Sequence, residues 1–256
     1  MATATAAQTI NRVFAPIQQF NRSWMQAEAT GAYGVELGFA SSSHFWLVGR
    51  AGVLGACSDE VAASALAFQP LDRVRAAWHG VPETLTHYEV SLRYRDVLAR
   101  RGDEVLGNFD PETIESIDEM GRRVIDAAPA ALGGIFAGWR QVALPGSDAG
   151  RAALTIHVLR ELRGAAHVTA ILASGLTPLE AVLAATDPPP RTGPAYAELM
   201  GFVGPFRDPE EYRHQRIEAE ELTKSMLERY FAVLSPDELA QFGDAVESAG
   251  AAAAAK

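Results

Sequence analysis

The sequence has almost no cysteine or lysine and no long hydrophobic run. Cys57 is the single cysteine among 256 residues, which excludes an intrachain disulfide framework and any zinc site built on several thiolates. No stretch approaches the roughly 18 apolar residues that a membrane-spanning helix needs. The N-terminus shows no basic leader followed by an apolar run, so we expect no secretory signal. These absences predict a cytoplasmic protein without a membrane partner.

Positive charge is also scarce. The 22 lysine and arginine residues face 32 aspartate and glutamate residues, which gives a net charge of −10, so the average field repels nucleic acid and anionic lipid. DNA binding would therefore require a local basic face. Lys224 and Lys256 are the only lysines, and arginine, which carries the rest of the positive charge, is well suited to bidentate capture of carboxylate or phosphate.

Strand-like alternation is missing as well, and helical spacing replaces it. Apolar residues recur every three or four positions from Ala7 to about Gln26, with Pro16 as a possible kink, and Asp110 and Thr177 stand where helix N-caps are expected. The sequence predicts an all-α, mainly helical protein. A short two-stranded wing within 79–95 or 188–206 is the alternative that such patterns do not exclude.

Turn-forming segments suggest two halves. The segment "ALPGSDAG" separates Leu144 from the next helical pattern, so we predict an N-terminal half at 1–145 and a C-terminal half at 146–256. The helix that contains "YEVSLRYRDVLARRGDEVLG" is expected to end near Gly102. The triple proline at 188–190 predicts a stiff, extended connection, and the terminal alanines predict a frayed helix end.

One hydrophobic helical stretch carries an unusual cationic stripe. Taking about 100° per residue, His157, Arg160, Arg163, Gly164 and His167 share one broad face of a helix that is otherwise apolar on more than one side. Unpaired buried guanidinium groups are costly, so each arginine requires a carboxylate, water or an anionic ligand. The functional interpretation is that Gly164 opens space in which these cationic groups bind an anion.

One other interpretation of this stripe remains open, and a second is excluded. Arg160 and Arg163 can pair internally with carboxylates such as Glu161, with His167 as a satisfied core residue. A shared metal ion is excluded for His157 and His167, because ten residues separate them by about 15 Å along a helix. No phosphate-binding loop, dinucleotide fingerprint or nucleophile elbow is present, and we predict no metal and no cofactor.

A second segment supplies candidate pocket walls. His44, Phe45, Trp46 and Arg50 fall within two helical turns, and glycines spaced three apart at Gly49, Gly52 and Gly55 reduce the local side-chain volume. Ordinary core packing is the alternative. In the predicted site, the anion is bound by Arg50, Arg160 and Arg163, hydrogen bonds come from His157 and His167, and Phe45 and Trp46 form apolar walls. All nine residues are candidates for ligand binding, and His167 and His157 are candidates for acid–base catalysis.

The segments "RVFAPIQQF", "FWLVGRAGVLG" and "LRELRGAAHVTAILASGLTPLEAVL" resemble an actinobacterial group of helix-turn-helix proteins related to MarR-like winged-helix regulators, over about Arg12 to Leu183. The resemblance implies two winged-helix-like halves that form a pseudo-dimer with a cleft between them. Members of that group carry Arg-Gly-Asp-x-His where this chain has Arg163, Gly164, Ala165, Ala166 and His167, so an acidic residue is missing here.

The predicted function is binding of a small, partly apolar, anionic organic molecule in a pocket between the halves. A DNA-binding regulator is the first alternative, because "ILASGLTPLEAVLAAT" has a helix-turn-helix outline. Its second helix offers Glu180 and Asp187 and no arginine, lysine, asparagine or glutamine to read DNA. Further alternatives are an enzyme of specialised metabolism that uses histidine acid–base catalysis in the same pocket, and an interaction protein that forms a homodimer.

Overall fold

The computed structural model describes residues 4–185 and 191–255, and within these ranges the chain forms thirteen α-helices and no β-strand. In chain order the α-helices are α1 (Ala6–Met25), α2 (Glu28–Glu36), α3 (Ser42–Ala51), α4 (Asp59–Leu66), α5 (Leu71–His79), α6 (His87–Leu106), α7 (Pro111–Ala127), α8 (Gly134–Trp139), α9 (Asp148–Ala173), α10 (Pro178–Leu183), α11 (Gly193–Met200), α12 (Arg213–Phe231) and α13 (Pro236–Ala254). Three short 3-10 helices cover Gly52–Leu54, Ala130–Leu132 and Pro209–Tyr212. The predicted all-α class is confirmed.

Local sequence signals set the helix boundaries. The Asp110 side chain accepts a hydrogen bond from the Thr113 backbone N–H, and Pro111 occupies the first turn of α7. Thr177 and Glu180 form a reciprocal capping box at the start of α10. These caps satisfy backbone N–H groups that the first helical turn leaves without partners, and both predicted helix starts are confirmed.

The core is built around α9, which packs against α1, α6, α7, α8 and α12. A single large hydrophobic cluster draws on α1 at one end of the sequence and on α13 at the other. Its largest fully buried side chains are Trp24, Trp139, Tyr94, Phe20, Phe45, Phe136, Phe231 and Phe242. Both predicted halves contribute to this cluster, and their division at residue 145 and their pseudo-dimer relationship stay predictions.

Close helix contacts explain two of the glycines. A Cβ at Gly102 would lie 2.7 Å from the Ala149 carbonyl oxygen, so this glycine allows α9 to approach α6. The prediction that the helix ends near Gly102 is wrong, because α6 continues to Leu106. In α3, a Cβ at Gly49 would meet the Tyr94 ring at 2.6 Å, so the small residue accommodates a core side chain.

A smaller lobe, which we call the satellite lobe, comprises residues 176–185 and 191–212 with α10 and α11. One small apolar cluster lies within this lobe, and a second joins the lobe to α9 and α12; Phe68, two residues beyond α4, packs against both. The position of this lobe beside the main core leaves a cleft between the two.

Several sequence predictions concern segments that connect helices or lie at the chain end. No strand occurs in 79–95, where a loop joins α5 to α6, and the described part of 188–206 contains α11 instead of a β wing. The winged elements are therefore absent from the described residues. The alanine-rich end is helical through Ala254, and its fraying stays a prediction. The predicted proline connection at 188–190 lies outside the described residues.

Candidate functional site

A cleft of about 1720 Å³ separates the main core from the satellite lobe. Its walls come from the main-core helices α1, α2, α3, α4, α5, α9, α12 and α13 and from α10 and α11 of the satellite lobe. Carboxylate side chains are few among the lining residues, namely Glu28 and Glu220. The lining cationic side chains are Arg22, Arg50, Arg73, Arg160, Arg163, Arg191, Arg216 and Lys224. A chain with a net charge of −10 thus concentrates positive charge in one concave surface.

The first cationic cluster of the wall joins α3 to α9 through Glu161. Arg50 donates two parallel hydrogen bonds to this carboxylate, from Nε to Oε1 and from Nη2 to Oε2, both 2.9 Å. Arg160 also donates to Oε1 of Glu161. Burial alone would raise the pKa of Glu161, but the two guanidinium groups outweigh it and lower the pKa to about 2. Two cations share one anion, so the cluster retains one positive charge.

The second cluster joins α9 to α12 through Glu220. Arg163 donates to its Oε2 at 2.8 Å and Arg216 to its Oε1 at 2.6 Å. The Arg216 side chain is only 6% exposed, and its Nε has no hydrogen-bond partner within the described part of the chain. This cluster also combines two guanidinium groups with one carboxylate. We call the surface formed by the two clusters the α9–α12 wall. It carries residual positive charge at two neighbouring places.

His167 lines the cleft beside the second cluster. Its Nδ1 lies 2.9 Å from Thr223 Oγ1, and that hydroxyl already donates to the Ala219 carbonyl at 2.6 Å. Thr223 can therefore only accept, so His167 donates through Nδ1 and keeps a lone pair on Nε2. Burial lowers the pKa of His167 to about 3, and Arg163 adds to the effect. The imidazole is neutral near pH 7 and acts as a hydrogen-bond acceptor.

His157 is placed away from the cleft. It is fully buried among aromatic rings, 4.5 Å from the Trp139 ring centroid and 5.5 Å from that of Trp24. Its Nδ1 lies 2.8 Å from Asn21 Oδ1, and burial lowers its pKa to about 3. A side chain without solvent access does not reach a ligand in the cleft, so His157 serves the packing of α1 against α9.

The structure divides the remaining candidates between cleft and core. Trp46 lines the cleft next to Arg50 on α3, and Gly164 lines it on α9. A Cβ at Gly164 would meet nothing nearer than 3.9 Å, so this glycine faces open space. Phe45 is completely buried in the core, and His44 lies outside the cleft lining. Six of the nine predicted residues thus meet at one surface, and His44, Phe45 and His157 do not.

Sequence reasoning missed Arg73, Arg216 and Glu220 as components of this surface. Arg73 lies on α5, and its Nη1 donates to the Met200 carbonyl at 2.9 Å. Glu220 and Arg216 are four residues apart on the charged helix α12, and local sequence does not show which carboxylate of this helix turns towards α9. The i, i+4 spacing of this pair was the only available signal.

No group of three or more histidine, cysteine, aspartate or glutamate side chains suited to a metal ion occurs in the ranges 4–185 and 191–255. Within the same ranges, no helix has the length and apolar character needed to cross a bilayer. The cleft lining combines guanidinium groups and one imidazole with two carboxylates, a lysine, hydroxyl and amide side chains and apolar side chains.

The helices α9 and α10, joined by a tight turn, form a helix–turn–helix element beside the cleft. Gly175 adopts a φ of +78° in the turn, the left-handed region in which a side chain is unfavourable. Leu176 is buried behind the turn, and α10 contains six residues. Glu180 of α10 is used in the helix cap, and none of residues 178–183 is arginine, lysine, asparagine or glutamine.

The chain matches a family profile described as "Helix-turn-helix family" over residues 7–203. No curated protein and no solved structure matches it. The match runs from α1 through α11, and so includes the helix–turn–helix element and most of both cleft walls. Because the match covers well over half of the chain, the protein belongs to this helix-turn-helix family.

Proposed function

We propose that the protein binds an anionic, partly apolar organic molecule in the cleft between the main core and the satellite lobe. The observation that carries this proposal is the local excess of cationic over acidic side chains in a chain that is acidic overall. Ligand sites favour concave surfaces between structural units, with a few polar groups that fix orientation. This cleft is not the boundary between the predicted halves at 1–145 and 146–256, because α9 and α12 of the C-terminal half line its main-core side; the division is a separate proposal.

Residual charge supports anion binding even though the arginines have internal partners. Arg50 and Arg160 share Glu161, and each cluster contains one more guanidinium group than carboxylates. The arginine side chains that face the cleft are partly desolvated, with Arg160 at 16% and Arg163 at 23% exposure. A ligand carboxylate or phosphate would supply the missing negative charge through charge-assisted hydrogen bonds.

The apolar part of the cleft supports a ligand with an apolar body. Trp46, Phe14, Phe68 and Met200 all contribute to its walls. Neutral His167 offers an acceptor for a ligand hydroxyl or amide N–H. The cleft volume exceeds the roughly 300–1,000 Å³ of common small-molecule pockets, so a small ligand would occupy only part of the cleft.

Two fluorescent probes with the same aromatic body test the proposal. The full chain is titrated with 8-anilinonaphthalene-1-sulfonate, which is anionic, and with N-phenyl-1-naphthylamine, which lacks the sulfonate. We expect the anionic probe to bind more tightly and Gly164→Trp to abolish its binding by placing an indole against the arginines, because a Cβ at this position lies 3.9 Å from Arg50 Nη2. Leu172→Trp, on an exposed position of the same helix, is the matched control and should bind as the unchanged protein does. Equal affinity for both probes, or binding that survives Gly164→Trp, would count against the cleft as an anion site.

A DNA-binding regulator is the second candidate, favoured by the family match. The MarR-like relationship implied by the sequence resemblance belongs to this candidate. The test is a gel shift of DNA from upstream of the protein's own gene at low and physiological salt, with an unrelated duplex as control. Sequence-selective binding at physiological salt would support it, and binding lost equally for both duplexes as salt rises would leave only weak electrostatic contact.

A further inference from the structure

Arg73 differs from the arginines of the α9–α12 wall. It is half-buried on α5, and its one hydrogen bond within the described residues goes to the Met200 carbonyl of the satellite lobe. No carboxylate among those residues pairs with it. Burial lowers the pKa of Arg73, and an electrostatic contribution from the Tyr196 side chain opposes this shift. A partly desolvated guanidinium group without an acidic partner gains more from an incoming anion than an exposed one does.

Arg73 and the α9–α12 wall are separate centres of positive charge. The wall has its two clusters on Glu161 and Glu220, whereas Arg73 belongs to a helix that packs against α3 and α4. Arg191 also lacks a carboxylate partner among the described residues, but it donates to Gln26 Oε1 at the exposed rim of the cleft. The hydrogen bond of Arg73 is part-buried whereas that of Arg191 is exposed, which favours Arg73 as an anion site.

Apolar side chains connect the two centres. The Phe68 ring centroid lies 5.8 Å from that of His167 on the wall. On its other side, Phe68 packs against the cluster that contains Val182 and Met200, and Met200 supplies the carbonyl bound by Arg73. His167, Phe68, Met200 and Arg73 thus form one continuous surface with a cationic centre at each end and an apolar middle.

On the basis of the proposed anion-binding function, we propose that Arg73 forms a second anion subsite and that the ligand is an elongated molecule with an acidic group at each end and an apolar middle. One acidic group pairs with the residual charge of the α9–α12 wall. The other pairs with Arg73, and the methylene or aromatic middle lies against Phe68 and Met200.

Calorimetric titration with straight-chain α,ω-dicarboxylates, from hexanedioate to tetradecanedioate, tests this subsite against monocarboxylates of equal length. We expect one length of diacid to bind the full chain at least about tenfold more tightly than its monoacid. Arg73→Gln should remove that preference and leave monoacid affinity within about twofold, as expected when one charge-assisted contact is lost. Arg75→Gln, on the same helix but outside the cleft lining, should keep the preference.

The outcomes separate the two proposals. Monoacid binding without any preference for diacids would overturn the second subsite and leave the proposed function standing. Loss of monoacid binding in Arg73→Gln would make Arg73 the single anion site. Loss of the diacid preference in Arg191→Gln but not in Arg73→Gln would move the subsite to the rim. Either result overturns this proposal. If neither acid series binds, both the subsite and the proposed function fail.

Discussion

Arg50 and Glu161, 111 positions apart in the chain, meet through two parallel hydrogen bonds of 2.9 Å. The fork of the guanidinium group matches the two carboxylate oxygens, which is the strong geometry for this ion pair. Glu161 is only 2% exposed, and it also accepts from Arg160. The pair therefore fixes α3 against α9 and determines how much positive charge reaches the cleft.

Removing the Glu161 charge should destabilise the fold strongly. Glu161→Gln leaves Arg50 and Arg160 without their shared carboxylate, and breaking a buried pair costs about 3–5 kcal/mol. Urea unfolding measures this loss. Glu210→Gln, in the exposed pair with Arg213, is the matched control and should cost at most about 1 kcal/mol. Equal losses in both variants would show that Glu161 does not neutralise buried charge.

Two glycine-to-alanine substitutions in helices should have opposite effects. Gly164→Ala adds a methyl group that meets nothing nearer than 3.9 Å, so the gain in helix propensity should stabilise the protein by about 0.5–1 kcal/mol. Gly49→Ala would place the methyl group 2.6 Å from the buried Tyr94 ring, and we expect a loss of about 1–3 kcal/mol from overpacking. Thermal unfolding measures both, and destabilisation by Gly164→Ala would contradict the open space beside α9.

Helix identity could be predicted from local signals, because they lie within one or two turns of sequence. Pro111 after Asp110 and the Thr177 cap mark helix starts whatever the rest of the chain does. Gly102 gave the wrong helix end, because glycine serves both as a helix terminator and as a site of close helix contact. Only the position of α9 shows that the second use applies.

The candidate site was predicted in part, for a related physical reason. The stripe from Arg160 to His167 follows from helical periodicity, and six of the nine candidates line the cleft. Periodicity does not reveal which face of a helix meets another helix. A prediction from sequence therefore assigns Phe45 and His157 to the site, although they lie in the core. Arg73 and Glu220 come from segments distant in sequence, and their places depend on tertiary packing that local patterns do not encode.

The capping box of α10 should control local stability of the helix–turn–helix element. Thr177→Ala removes the side-chain acceptor for the Glu180 N–H and one partner of the Glu180 carboxylate. We expect amides of α10 to exchange with solvent about fivefold faster, corresponding to a cap contribution of about 1 kcal/mol. Thr169→Ala, whose hydroxyl bonds only a carbonyl in its own helix, is the control. Unchanged exchange in Thr177→Ala would mean that packing, not the cap, holds α10.

The two buried histidines should make the fold less stable as the pH falls. Burial lowers the pKa of His157 and of His167 from 6.5 to about 3, so the unfolded chain binds protons between these values and the folded chain does not. Stability rises with pH wherever the unfolded state holds more protons. Each histidine should therefore cost about 2 kcal/mol between pH 7.5 and pH 5. Glu161, with its pKa lowered to about 2, should keep its contribution over this range and lose it only under stronger acid.

Substitution of one histidine separates this effect from the general titration of the surface. In His167→Gln, the loss of unfolding free energy between pH 7.5 and pH 5 should shrink by about 2 kcal/mol, because residue 167 no longer takes up a proton on unfolding. His214→Gln is the control, since the His214 side chain is 83% exposed. Urea denaturation at the two pH values measures the difference. If His167→Gln and His214→Gln show the same pH dependence as the unchanged protein, burial does not hold His167 neutral. That result would also contradict the role of His167 as a hydrogen-bond acceptor in the cleft wall.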